Sequence, residues 1–117
     1  MILAILDDLL FTSKIKTAAS QLGATITFAR SADAALAAMR GSPPSLVIFD
    51  LNNSRADPLG IVAAMKHDPV LQAIPTLGFV SHVQTDLIDA ARKAGIDEVL
   101  ARSAFAMRLG EILSGRG

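Results

Sequence analysis

The chain lacks cysteine, tryptophan and tyrosine altogether, and its charge has no preferred sign. Without thiols it forms no disulfide, no thiolate metal site and no thiol nucleophile, a composition that suits a reducing cytoplasm, where we expect it to act. Eleven Lys and Arg residues balance eleven Asp and Glu residues, so there is no broad positive field to hold nucleic acid or an anionic membrane. We therefore expect no nucleic-acid partner and no membrane partner.

Long apolar runs are also missing. The stretch from Met1 to Leu6 is apolar, but it meets Asp7 and Asp8 at once, lacks the basic segment of a signal peptide, and is too short to cross a bilayer. What is present is a hydrophobic content of 51% in 117 residues, which is enough for one compact core. We expect a single domain over residues 1–117, with no output domain.

Strand patterns alternate with helix patterns along the whole chain. Residues 2–6 and 46–49 are unbroken apolar runs, typical of strands buried on both faces, whereas residues 24–28 alternate apolar and polar as in a strand with one wet face. Further strands are predicted at residues 74–80 and 99–101. Helices are predicted after Thr12 or Ser13, after Ser31, at Asp57-Pro58, at Thr85 or Asp86, and over the inner face formed by Phe105, Leu109, Ile112 and Leu113.

This order is (βα) five times, and it predicts an α/β fold with a doubly wound parallel sheet whose second strand lies at an edge. In such sheets ligands bind beside the carboxyl ends of the strands, where the strand order reverses. Asp7, Asp8 and Asp50 stand at such ends. Three gathered carboxylates repel one another unless a cation or a raised pKa relieves them, and Mg²⁺ is the natural oxygen-bound partner. The plainer interpretation is that these acids are solvated loop residues or helix caps.

Four segments resemble landmarks of the receiver domain of bacterial response regulators, in the right order. They are Ile-Leu-Ala-Ile-Leu-Asp-Asp at residues 2–8, Leu-Val-Ile-Phe-Asp-Leu at 46–51, His-Asp-Pro-Val-Leu-Gln-Ala-Ile-Pro at 67–75, and Ala-Gly-Ile-Asp-Glu-Val-Leu at 94–100. The resemblance implies a flavodoxin-like fold with strand order 2-1-3-4-5, in a single-domain signalling protein that is not an enzyme beyond Mg²⁺-dependent self-phosphorylation and dephosphorylation.

The same resemblance implies roles for individual residues. Asp50 would accept phosphate from a histidine kinase or phosphotransfer protein. Asp8, Asp50 and the backbone carbonyl of Asn52 would weakly hold Mg²⁺, with Asp7 beside them. An unidentified downstream protein would receive the signal, and helix 4, strand 5 and helix 5 would form the face of a possible homodimer.

The switching residues depart from the family pattern. Val80 stands where receivers carry a Thr or Ser hydroxyl, and the adjacent Ser81 points to the opposite face of a regular strand. Arg102 stands in place of a lysine, Ser103 in place of a proline and Val99 in place of the switch aromatic. Arginine keeps the charge but differs from lysine in length and geometry.

Two hypotheses therefore stay open. The first is a phosphorelay receiver, favoured by Asp7, Asp8 and Asp50; the second is a pseudo-receiver, an interaction module that keeps the fold and is not phosphorylated. Other phosphoryl chemistries fit poorly, because no P-loop motif exists and a haloacid-dehalogenase-like site would need an Asp at the position of Leu9. His67, His82 and Arg55 are expected to be solvated loop residues, although His82 could face the crevice and Arg55 could meet a phosphate.

Overall fold

A computed structural model of the chain describes residues 1–81 and 84–115, and within them the chain folds into one five-stranded parallel sheet covered on both faces by helices. The strands are β1 (Ile2–Ile5), β2 (Ile26–Ala29), β3 (Leu46–Asp50), β4 (Thr76–Val80) and β5 (Glu98–Ala101). Their order in the sheet is β2-β1-β3-β4-β5. The predicted fold class and strand order are confirmed.

The burial of each strand follows its sequence pattern. All four residues of β1 are buried, as its unbroken apolar run predicts, because helices cover both faces of this interior strand. The alternating β2 lies at one edge of the sheet, and Thr27 there faces solvent. The other edge strand is β5, and its first and last residues, Glu98 and Ala101, are exposed, as expected for an edge strand.

The helices are α1 (Leu9–Leu22), α2 (Ala32–Gly41), α3 (Pro58–Lys66), α4 (Thr85–Ala94), α5 (Arg102–Met107) and α6 (Leu109–Leu113). A short 3-10 helix at Ser54–Ala56 precedes α3. Ser31 caps α2 and Asp57 caps α3 through their side chains, both as predicted. Among the described residues, no helix is both long and apolar enough to cross a bilayer.

The start of α1 differs from the sequence prediction. The helix begins at Leu9, and its cap is Asp8, whose Oδ1 accepts the backbone N–H of Phe11 at 3.0 Å. Thr12 and Ser13 lie inside the helix, so the prediction that one of them caps it was wrong. The physical reason is that an aspartate carboxylate is a strong cap and reaches the first turn directly from the end of β1.

The core has two parts, one on each face of the sheet. Buried side chains of β1, β3, α2 and α3 form the first, and it includes Met39, Phe49, Ile61 and Met65. The second lies under α1, α5 and α6, and it includes Ile15, Phe79 and Phe105. The last helix is interrupted at Arg108, yet Phe105, Leu109, Ile112 and Leu113 are all buried as predicted.

Candidate functional site

The acidic residues lie along one edge of the sheet, where β1 and β3 end side by side. Ile5 of β1 pairs with Phe49 of β3, and Asp50 of β3 pairs with Phe79 of β4. Asp7 and Asp8 therefore leave β1 next to the end of β3. This is the crevice in which doubly wound folds bind ligands.

Asp50 is the last residue of β3 and is only partly exposed. Its Oδ1 accepts the backbone N–H of Asn52 at 3.0 Å. Burial raises the pKa of the Asp50 carboxyl above its ordinary value, against the lowering effects of the Asn52 N–H and of Arg102, and the charge of Asp8 raises it further. Asp8, Asp50 and Arg102 thus act on one another across the site.

Asp8 uses both carboxylate oxygens. Oδ1 caps α1 by accepting the N–H of Phe11, and Oδ2 lies 2.8 Å from Nη2 of Arg102. The Phe11 hydrogen bond and the Arg102 guanidinium hold the pKa of Asp8 below its ordinary value, although burial acts in the opposite direction. Asp8 is therefore both a structural cap and half of an ion pair.

Arg102 is fixed on the site by an aromatic ring. It is the first residue of α5, directly after β5, and its guanidinium carbon lies 4.3 Å from the centre of the Phe11 ring. Phe11 is 5% exposed and packs edge-on against Phe79 and Phe105. A guanidinium stacked on a buried ring and bonded to a carboxylate is held more firmly than a free surface arginine.

Asp7 is balanced separately from Asp8. Its Oδ1 lies 2.8 Å from Nη2 of Arg30, at the end of β2, and its Oδ2 lies 3.7 Å from Nη1 of Arg55. Arg55 is 84% exposed, in line with the solvated loop residue expected from the sequence. The repulsion among the acids is thus reduced by the arginine cations that contact Asp7 and Asp8.

The side chain of Asn52 joins the loop after β3 to the loop after β4. Its Oδ1 accepts the backbone N–H of Ser81 at 2.7 Å, and its Nδ2 donates to Oε1 of Gln84 at 2.8 Å. From the sequence, only the carbonyl of Asn52 is predicted to have a role, and Gln84 is predicted to have none. An amide two residues after Asp50 is a visible signal, but no signal in the sequence identifies Gln84.

Val80, Val99 and Ser103, the three positions at which the sequence differs from the switch residues of receivers, have different surroundings. Val80 ends β4 and is 3% exposed, packed in the core part that also contains Leu51 and Ala91. Val99 of β5 is half-buried against that same part, and Ser103 is exposed. Val80 has no hydroxyl, so it offers no hydrogen bond to a group bound at Asp50.

The donors for a metal ion match Mg²⁺ in chemistry, since carboxylate and carbonyl oxygens are its preferred ligands. They are not arranged as a ready group, however, because the part of the chain that the structure describes holds no cluster of three His, Cys, Asp or Glu residues suited to a metal. The carbonyl of Asn52 accepts the N–H of Ser54 at 3.1 Å. The assignment of Asp7, Asp8, Asp50 and Asn52 to a metal stays a prediction.

Of the two histidines, His67 lies outside this site. His67 is exposed at the end of α3, where its Nδ1 lies 2.8 Å from the carbonyl oxygen of Ala63. His82 lies outside the described residues.

Comparison with solved structures identifies the fold. A response regulator from Hahella chejuensis superimposes with a TM-score of 0.87 and 19% identity over 97% of this chain and 91% of its own. The receiver domain of NtrX from Brucella abortus gives 0.83 and 23% over 99% and 97%. The Mn²⁺-bound form of the response regulator Rcp1 gives 0.78 and 22% over 97% and 88%. No protein-family model and no curated protein matches the chain.

The chain therefore has the fold of response regulator receiver domains, over nearly its whole length. The acidic residues at the ends of β1 and β3 stand in the crevice of that fold.

Proposed function

We propose that this chain is a cytoplasmic receiver module that accepts a phosphoryl group on Asp50 from a histidine kinase or phosphotransfer protein and signals through protein contacts. The observation that carries the proposal is the placement of Asp50. It ends the central strand β3 in the crevice, partly buried, with Oδ1 held by the Asn52 N–H. Within residues 1–81 and 84–115, Oδ2 receives no hydrogen bond, which leaves it free to attack phosphorus.

The reaction transfers a phosphoryl group from a histidine of the partner to Asp50. A carboxylate oxygen of Asp50 forms a bond to phosphorus while the bond from phosphorus to the imidazole nitrogen of a partner's phosphohistidine breaks, and the histidine leaves with a proton from solvent. The charged guanidinium of Arg102 would face the phosphoryl group on Asp50, and the N–H of Asn52 would remain a hydrogen-bond donor to Asp50. The chain contributes no other catalytic chemistry, apart from self-phosphorylation by small donors and dephosphorylation.

Asp8, Asp50 and the Asn52 carbonyl would hold a weakly bound Mg²⁺ ion, with Asp7 beside them. Such an ion would neutralise charge that gathers when an anionic phosphoryl group approaches a carboxylate. The Mn²⁺-bound structure of Rcp1 supports divalent binding by a protein of this fold. The oxygen donors of this chain have the right chemistry, although Asp8 already contacts Arg102.

A second candidate is the unphosphorylated interaction module. The observation that favours it is that the groups around Asp50 already have internal partners. Asp8 pairs with Arg102, and the N–H of Ser81 is bonded to the side chain of Asn52. With Val80 in place of a hydroxyl, such a site can hold its shape without phosphate.

A partner surface follows from the receiver fold as a proposal. We propose contacts through α4, β5 and the last helical segments α5 and α6, a face that permits a modest homodimer but does not require one. This face carries Asp89, Arg92 and Lys93 on α4, all exposed, while Arg108 beside α5 donates to Glu98 of β5 at 3.0 Å. Its mixed charge suits a modest, salt-sensitive contact.

Intact-mass spectrometry after incubation with acetyl phosphate and Mg²⁺ tests the proposal. We expect one phosphoryl adduct on the wild-type chain, less without Mg²⁺, and none on Asp50→Asn. Asp89→Asn makes the same chemical change at an exposed position of α4 and is the matched control, expected to behave as wild type. An unmodified wild-type chain, or an undiminished adduct on Asp50→Asn, would refute phosphorylation at Asp50 and favour the interaction module.

A further inference from the structure

We propose that Arg102 is a resident cation of the acidic site that competes with a divalent metal ion for Asp8, so that metal binding requires Arg102 to leave. The inference rests on the proposed function, because it concerns control of the same site. It is carried by the position of one guanidinium between a carboxylate and a buried aromatic ring.

The first step is that Arg102 is held in place before any metal arrives. Its Nη2 lies 2.8 Å from Oδ2 of Asp8, and its guanidinium carbon lies 4.3 Å from the centre of the Phe11 ring. Its side chain is 38% exposed, so the ion pair is partly shielded from water. An ordinary surface ion pair is weak because two long side chains must be ordered to form it, but here the stacking on Phe11 orders the arginine.

The second step is that Asp8 cannot turn freely toward another cation. Its Oδ1 accepts the N–H of Phe11 and caps α1, while Oδ2 carries the contact with Arg102. Rotating the carboxylate away from Arg102 would disturb the cap. A metal ion at Oδ2 would instead face the guanidinium charge at short range, and like charges so close repel strongly.

The third step is that the acids are already balanced in number. Asp7 contacts Arg30 and Arg55, and Asp8 contacts Arg102. The charge of Arg102 also favours the ionised form of Asp50, whereas the like charge of Asp8 disfavours it. A divalent ion therefore enters a site that already contains arginine cations beside Asp7 and Asp8, and their charge weakens its binding.

Removing the guanidinium should free the site for a metal. Arg102→Met keeps an apolar side chain that can lie on Phe11 while removing the charge. Arg92→Met removes the same charge from an exposed position on α4 and is the control for net charge. Mn²⁺ alone is the probe, titrated at physiological ionic strength, with paramagnetic broadening of the amide signals of Leu51 and Asn52 as the readout.

We expect Arg102→Met to bind Mn²⁺ about tenfold more tightly than wild type, as loss of a unit charge at this range implies, and Arg92→Met to match wild type. Arg102→Gln removes the same charge and should repeat the gain, which excludes an effect peculiar to methionine. Equal affinities of wild type and both Arg102 variants, or no broadening in any of them, would overturn the inference.

A second readout follows Arg102 itself. Adding diamagnetic Mg²⁺ to the wild-type chain should shift the Nε–H signal of Arg102 as the guanidinium leaves Asp8, while the Arg92 signal stays in place. An unmoved Arg102 signal at metal saturation would also overturn the inference. The proposed function is judged separately: an adduct on Asp50 with equal Mn²⁺ affinities would leave phosphorylation standing, and tighter Mn²⁺ binding without any adduct would do the reverse.

Discussion

The ionised carboxylate of Asp50, the form proposed to accept phosphate, destabilises the folded chain. Burial raises its pKa in the folded state, so the folded chain binds its proton more tightly than the unfolded chain does. Stability therefore falls as the pH rises from the ordinary pKa of 3.8 through the raised value, and the ionised carboxylate stays unfavourable above it. Asp8 has the opposite sign, because its lowered pKa gives stability that is lost as the pH falls.

Asp50→Asn should accordingly raise the free energy of unfolding at about pH 7, because an amide keeps the acceptor for the Asn52 N–H without the buried charge. The gain should shrink toward zero as the pH falls to the ordinary pKa of 3.8. Urea unfolding followed by circular dichroism measures this, since the chain has no Trp or Tyr for fluorescence. Asp89→Asn, at an exposed position, is the control and should leave the free energy of unfolding at neutral pH nearly unchanged; a less stable Asp50→Asn at neutral pH would contradict the interpretation.

At this scale the sequence predicts which acids line the site but not what they contact. Asp7, Asp8 and Asp50 each follow an apolar run, and that pattern alone places them at strand ends. Their partners come from distant parts of the chain: Arg30 is 23 residues from Asp7, and Arg102 is 94 residues from Asp8. Only the folded sheet brings these pairs together, so the arginine balance was not predictable.

Among the elements, β4 shows how closely the strand behind the site is packed. Gly78 lies in the middle of β4, and a Cβ atom there would lie 2.7 Å from Cδ1 and 3.0 Å from Cγ of Leu51. Leu51 directly follows Asp50 and is 4% exposed, so it has little room to move. A glycine inside a strand often marks close packing, and the position of Leu51 beside Gly78 is an example.

Gly78→Ala should lower the free energy of unfolding by about 1–2 kcal/mol, since overpacking outweighs the entropy gained by losing a glycine. In a Leu51→Ala background the same change should cost nothing, because the conflicting atoms are gone. Gly41→Ala, at the end of α2 with nothing within 4 Å of the added carbon, is the matched control and should be neutral or stabilising. Urea unfolding of the wild type, the two single variants at positions 78 and 51 and the double variant completes the cycle, and an equal cost of Gly78→Ala in both backgrounds would be the contrary result.

The elements were more predictable than the side-chain contacts. Apolar runs and alternation are local, and so are the caps Ser31 and Asp57 that begin α2 and α3. The start of α1 was missed because Asp8 was interpreted as a ligand, whereas in the structure the same carboxylate also caps the helix. An aspartate at the end of a strand fits both a metal ligand and a helix cap, so the sequence alone did not show that Asp8 is the cap.

Across the whole molecule, the side chain of Asn52 links the site to the end of β4 and the start of α4. It bonds the N–H of Ser81, directly after β4, and the side chain of Gln84, the residue just before α4. Val80, buried at the end of β4, has no hydroxyl with which to follow a phosphoryl group.

Modification of Asp50 by beryllofluoride should therefore change the structure locally. Amide signals of Leu51, Asn52 and Arg102 should shift, while those of α4 (Thr85–Ala94) should stay nearly unchanged, because Val80 at the end of β4 has no hydroxyl with which to bond the new anion. Two-dimensional NMR of the wild-type chain measures both regions in one experiment. This prediction presupposes an adduct on Asp50, which intact mass establishes first.

Val80→Thr tests whether α4 stays unchanged because the hydroxyl is missing or because α4 is held in place by other contacts. It changes one methyl group to a hydroxyl at nearly constant volume, so the folded spectrum should be retained at a modest cost in stability from burying a polar group. With beryllofluoride bound, we expect its α4 signals to shift where those of wild type do not. If wild type already shows large α4 shifts, the coupling does not need the hydroxyl; if Val80→Thr shows none, the Asn52 contacts alone hold α4 in place.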